Sequence, residues 1–134
     1  CPDIPYNFSK KLSIFANTSI DISDGLISDM ERLINNQRLS FELNVNKIPI
    51  SSMLKSYLNK NNIMKEKFVF NGDDYQILFT SSKKNRNLIK SIANKMSQKV
   101  TIIGKINNNY KKNSLLLNNK SLKLSKYKGY LHKF

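Results

Sequence analysis

Between residues 16 and 35 the hydrophobic pattern changes its period, and the change falls on an acidic turn. Residues 16–22 read as a strand. Leu26, Ile27, Met30, Leu33 and Ile34 then recur at i, i+1, i+4, i+7 and i+8, one apolar face of a helix running to about residue 35. Ser23-Asp24-Gly25 stands between the two. Ser23 is expected to be the N-cap, with Asp24 in the first turn, where its charge favours the helix dipole. A strand and an amphipathic helix joined this closely each need a partner to cover their apolar sides.

The rest of the chain supplies such partners without a regular βαβ rhythm. A short helical turn is expected at 10–15 and strands at 41–45, 67–70, 75–80, 100–103 and 114–117. Residues 52–59 form an expected helix with Met53, Leu54, Tyr57 and Leu58 inward. A second, at 85–98, turns Leu88, Ile89, Ile92 and Met96 to one side. Asn71-Gly72-Asp73-Asp74 and Asn118-Asn119 are turn chemistry. The expected class is α+β, one domain over residues 1–134.

Charge narrows the function less than it first suggests. The net charge is +14, from 23 basic and 9 acidic residues, a balance that suits phosphate backbones. Only three of the basic residues are Arg, the side chain whose planar fork reads bases and phosphates best. Lys, Asn and Ile abound together, which AT-rich codon usage explains without any function, so a nucleic-acid partner is not the expected one. No apolar run approaches the ~20 residues of a membrane span. The start, Cys-Pro-Asp-Ile-Pro, has no leader character and no initiator Met, so a cytoplasmic piece of a longer protein is expected. A single Cys excludes an internal disulfide.

Against that background the placement of the acids matters. Four of the nine fall in two pairs, Asp21 with Asp24 and Asp73 with Asp74. Two like charges about 4 Å apart repel by roughly 4 kcal/mol at an effective dielectric of ~20. A divalent cation reverses that sign, and Mg²⁺ takes oxygen ligands of this kind while leaving positions for phosphates. Asp21, Ser23 and Asp24 can converge beside a helix N-terminus, where exposed N–H groups favour phosphate oxygens. The same residues also suit a plain helix cap with Asp21 on the surface, and Asp73-Asp74-Tyr75 also suits a plain hairpin turn.

Ser19-Ile20-Asp21-Ile22-Ser23-Asp24-Gly25-Leu26, followed by Asp29-Met30, resembles the signature of thiamine-monophosphate kinases. Asn71-Gly72-Asp73-Asp74-Tyr75-Gln76-Ile77-Leu78-Phe79-Thr80 resembles that family's Gly-Gly-Glu-Asp-Tyr-Glu-Leu-Leu-Phe-Thr. Ile102-Ile103-Gly104-Lys105-Ile106 is similar to its Ile-Gly strand, and Gly129-Tyr130-Leu131-His132-Lys133-Phe134 to its Gly-Tyr-Asp-His-Phe ending. The chain departs from the pattern at several positions. Asp73 stands for Glu, Asn71 for Gly and Gln76 for Glu, and an extra residue separates His132 from Phe134.

The resemblance is to the C-terminal half of that enzyme, a domain shared with aminoimidazole ribonucleotide synthetase relatives. It implies a three-layer α/β/α domain with a mixed sheet, packed on an N-terminal ATP-binding domain. It further implies Mg²⁺ at Asp21 and Asp24, an ATP contact at Ser23, and thiamine monophosphate contacts at Asp73 and at Tyr130 or Phe134. The implied reaction is ATP-dependent phosphorylation of thiamine monophosphate to thiamine diphosphate, by an enzyme that forms a homodimer. Another ATP-using enzyme of the same superfamily is the alternative within this class.

Overall fold

An antiparallel ladder carries the acidic turn. Strand β1 (Ala16–Asp21) pairs with β3 (Ile77–Ser81), from Ala16 opposite Ser81 to Asp21 opposite Ile77, with an irregularity between Ala16 and Thr18. The computed structural model describes residues 6–35, 37–65, 76–108, 112–122 and 124. Two four-residue helices, α1 (Tyr6–Ser9) and α2 (Leu12–Phe15), lead into β1, and α3 (Leu26–Leu33) leaves it.

A second sheet is mixed, in the order β4-β2-β5-β6. Strand β2 (Ser40–Asn44) lies antiparallel to β4 (Gly104–Asn107) and parallel to β5 (Ser114–Leu117), which turns back into β6 (Lys120–Leu122). The β5–β6 turn is Asn118-Asn119, both at positive φ (49° and 63°). Asn tolerates that region better than most residues, and two such residues in a row match the twist of a tight hairpin.

The β1–β3 ladder separates two apolar clusters. Ile20 and Leu78 join the larger one, which α3 enters through Leu26, Ile27, Met30 and Leu33, and which the second sheet fills with Phe41, Leu43 and Leu115. Phe79, next along β3, joins the other cluster with Phe8, Phe15 and Ala93, as the two-residue period of a strand requires. The rings of Phe8, Phe15 and Phe79 lie 5.5–6.2 Å apart in tilted pairs, the separation favoured by aromatic quadrupoles. Helix α5 (Arg86–Lys95) closes this cluster with Ile89, Ile92 and Ala93.

These elements make the expected α+β class with a mixed sheet. Several local expectations need correcting. Residues 100–103 form no strand, because Val100 packs into the smaller cluster and Ile103 against the larger. The run fills two cores, and the ladder begins only at Gly104. On α4 (Ser52–Lys60), Leu58 alone is buried, while Met53 and Tyr57 are exposed. Periodicity there reports an apolar face but not that anything covers it. Leu88 of α5 likewise points outward. The expected strand at 67–70 lies outside the described residues.

Candidate functional site

A further correction falls on the acidic turn itself. Helix α3 starts two residues later than its sequence suggests, with Gly25 and not Ser23 at the N-cap. Gly25 has φ 121° and ψ 145°, a backbone conformation essentially restricted to glycine. Asp24 therefore lies in the loop before the helix rather than in its first turn.

The group that organises this loop is Asp29, a side chain with no exposure at all. Its Oδ2 accepts the backbone N–H groups of Ser23 (2.9 Å) and Asp24 (3.1 Å). Its Oδ1 faces the Arg32 guanidinium at 3.2 Å. Arg32 also pairs through the same nitrogen with Asp24. A buried carboxylate is costly unless paired and hydrogen-bonded, and here the two amides and one guanidinium meet that cost. Neither Asp29 as a clamp nor Arg32 was anticipated. The signal was present, since Asp29 falls between Leu26 and Leu33 at the edge of the apolar stripe, where an acid must find partners.

The anticipated residues are distributed as follows. Asp21 ends β1 and is exposed; Ser23 is exposed and Asp24 half-buried. Ile22 donates its N–H to the carbonyl of Gln76 (2.9 Å), which ties the last residue of the second acidic motif's Asp-Asp-Tyr-Gln to the first motif. Asp73 itself, Tyr130 and Phe134 lie outside the described residues. No cluster of three or more His, Cys, Asp or Glu able to hold a metal occurs among the described residues. A pair of carboxylates with an adjacent hydroxyl is nevertheless a donor set suited to Mg²⁺, which retains waters and phosphate oxygens for its other positions.

Elsewhere, a shallow groove of about 160 Å³ runs between β2 and β4, lined by Glu42, Asn44, Lys47 and Lys105 among others. None of the anticipated residues lines it. Glu42, half-buried, and the exposed Lys105 form a cross-strand pair at 3.2 Å there, near enough to solvent to contribute little.

No family model matches the chain. A thiamine-monophosphate kinase from Buchnera aphidicola subsp. Acyrthosiphon pisum (strain APS) is 37% identical over 118 residues, covering 87% of this chain and 36% of the relative. One from Aquifex aeolicus (strain VF5) is 38% identical over 89 residues, covering 64% and 28%.

The chain belongs to the thiamine-monophosphate kinase family.

It spans little more than a third of the Buchnera relative's length. The fold agrees. A thiamine-monophosphate kinase from Stenotrophomonas maltophilia K279a superposes with a TM-score of 0.75 at 22% identity, over 90% of this chain and 37% of that one. AaThiL complexed with AMPPCP and TMP superposes with a TM-score of 0.70 at 30% identity, over 95% and 37%. No helix among the described residues is long and apolar enough to cross a membrane.

Proposed function

We propose that this chain is the C-terminal portion of a cytoplasmic, homodimeric thiamine-monophosphate kinase whose ATP-binding N-terminal domain completes the active site. The reaction is transfer of the γ-phosphoryl group of ATP to thiamine monophosphate. A phosphate oxygen of thiamine monophosphate forms a bond to Pγ as the bond from Pγ to the β-bridging oxygen breaks, and ADP leaves. The acceptor is already anionic at neutral pH, so the protein need not supply a strong base. Positioning and charge neutralisation are the main demands of phosphoryl transfer.

Asp21 and Asp24 are the proposed ligands of Mg²⁺, which when bound supplies charge neutralisation between the phosphates. Ser23 is the proposed nucleotide contact. Asp73, with Tyr130 or Phe134, is proposed to face thiamine monophosphate. One observation supports this reading above the plain-cap alternative: the 23–24 backbone is clamped by a fully buried carboxylate. Acids of a first helical turn reach back to single amides in ordinary capping boxes, but a wholly buried one shared by two loop amides adds the fixity that ligands held to a fraction of an ångström need.

The test uses the full-length protein with ATP, Mg²⁺ and thiamine monophosphate, following thiamine diphosphate formation. Asp24→Asn is expected to abolish turnover with the melting temperature little changed. Normal ATP-dependent turnover in that variant rules the ligand role out.

A further inference from the structure

We propose that Arg32 is a positioning residue that serves as an internal counter-cation for Asp24. It holds that carboxylate until a phosphate-bearing ligand takes over the guanidinium and releases Asp24 to a divalent cation. This inference rests on the metal role of Asp24 put forward above. It adds an order of events and a residue.

The two carboxylates that Arg32 touches are not equivalent. Asp29 is already committed, since its Oδ2 carries the amides of residues 23 and 24 and its side chain is wholly buried. Its pairing with Arg32 is also local, one turn apart on α3. Asp24 lies outside the helix, and its side chain keeps 22% of its exposure. Arg32 itself is 57% exposed. With more than half of its side chain exposed, the guanidinium has solvent beside it into which it can turn from Asp24.

Electrostatics then sets the order. A dication approaching Asp24 meets a guanidinium already paired with the same carboxylate, so the metal alone must displace a charge-assisted contact and tolerate a nearby like charge. A nucleotide phosphate removes both obstacles, because it offers the planar fork of Arg another oxyanion. The residue type fits this handover: only three of the 23 basic residues are Arg, and one of them is placed against the acidic loop. A lysine would offer a point charge without the fork that can span a carboxylate and a phosphate together.

The experiment titrates Mn²⁺, as a paramagnetic probe, into nucleotide-free full-length protein, for wild type and for Arg32→Met, Arg32→Lys and Asp24→Asn. Arg32→Met should bind Mn²⁺ at least about fivefold more tightly than wild type, the lower end of ordinary site-to-site coupling. Arg32→Lys, which keeps the charge, should stay near wild type. In turnover assays Arg32→Met should raise the KM for ATP more than it lowers kcat, a split that a purely structural helix pair does not produce. If Arg32→Met fails to fold, Arg32→Gln, which retains a neutral donor for Asp29, takes its place. Unchanged or weaker Mn²⁺ binding in the neutral variant, with binding lost in Asp24→Asn, overturns the counter-cation role and leaves the kinase reading standing. Mn²⁺ binding and turnover both intact in Asp24→Asn overturn the metal role of Asp24, and this inference with it.

Discussion

The carboxylate of Asp29 accepts the backbone N–H of Asp24, five residues before it, at 3.1 Å. The helix thus braces the loop that precedes it. Hydrogen bonds to a charged group contribute about 1.5–3 kcal/mol each, and a buried partner left unpaired adds to the loss. Asp29→Ala is therefore expected to lower unfolding stability by about 2–4 kcal/mol. It should also speed amide exchange at residues 23 and 24 by more than at other loop positions. Urea unfolding together with residue-resolved hydrogen exchange checks both, and unaltered exchange at those two amides would refute the clamp.

The close approach of two strands at Gly104 gives a second expectation. An added Cβ there would collide with the carbonyl oxygen of Glu42 and would come within 2.9 Å of Leu43 Cδ2. Both belong to the strand that Gly104 pairs with, so the neighbouring backbone would have to move. Gly104→Ala should cost roughly 1–3 kcal/mol, as overpacking generally does. A melting temperature equal to that of wild type would show that the ladder between β2 and β4 relaxes freely.

Lys65 makes the fold sensitive to alkaline pH. Its Nζ donates to the carbonyl of Ile48 (2.5 Å) and, at 3.4 Å, to that of Asn46. Partial burial, and then the charge of Lys55, lower its pKa from the ordinary 10.5. The unfolded chain consequently holds this proton more tightly than the folded one. The handicap is full below the folded-state value, and it fades as pH rises through that value towards 10.5. Lys65→Met should flatten this part of the stability curve. Denaturant melts of the two proteins across the alkaline range provide the measurement, and parallel curves would contradict the shift.

Much of the site's local structure was legible from the residues. The change of period near residue 22 located β1 and α3 because an extended segment and a helix with a single apolar stripe write different patterns. The Asn118-Asn119 turn was equally local. The helix start was misplaced because Ser23 has good capping chemistry, yet its amide is drawn to Asp29 and the positive φ falls on Gly25. That competition is invisible until α3 is packed and the Asp29 carboxylate is excluded from water. Met53 and Tyr57 of α4 were misread for a related reason, since an apolar face does not announce whether the fold covers it.

By itself, then, the order of residues determined most of the helical and extended segments and the family they belong to. Those properties depend on neighbours within a few positions, or on motif strings that need no coordinates. Only the tertiary structure decided that β2 runs parallel to β5, that β3 delivers the Gln76 carbonyl to Ile22, and that Asp29 and Arg32 hold the acidic loop. Such pairings join groups far apart in the chain or select one partner among several polar ones. That selection is made by burial, which assigns a cost to every unpaired group at once.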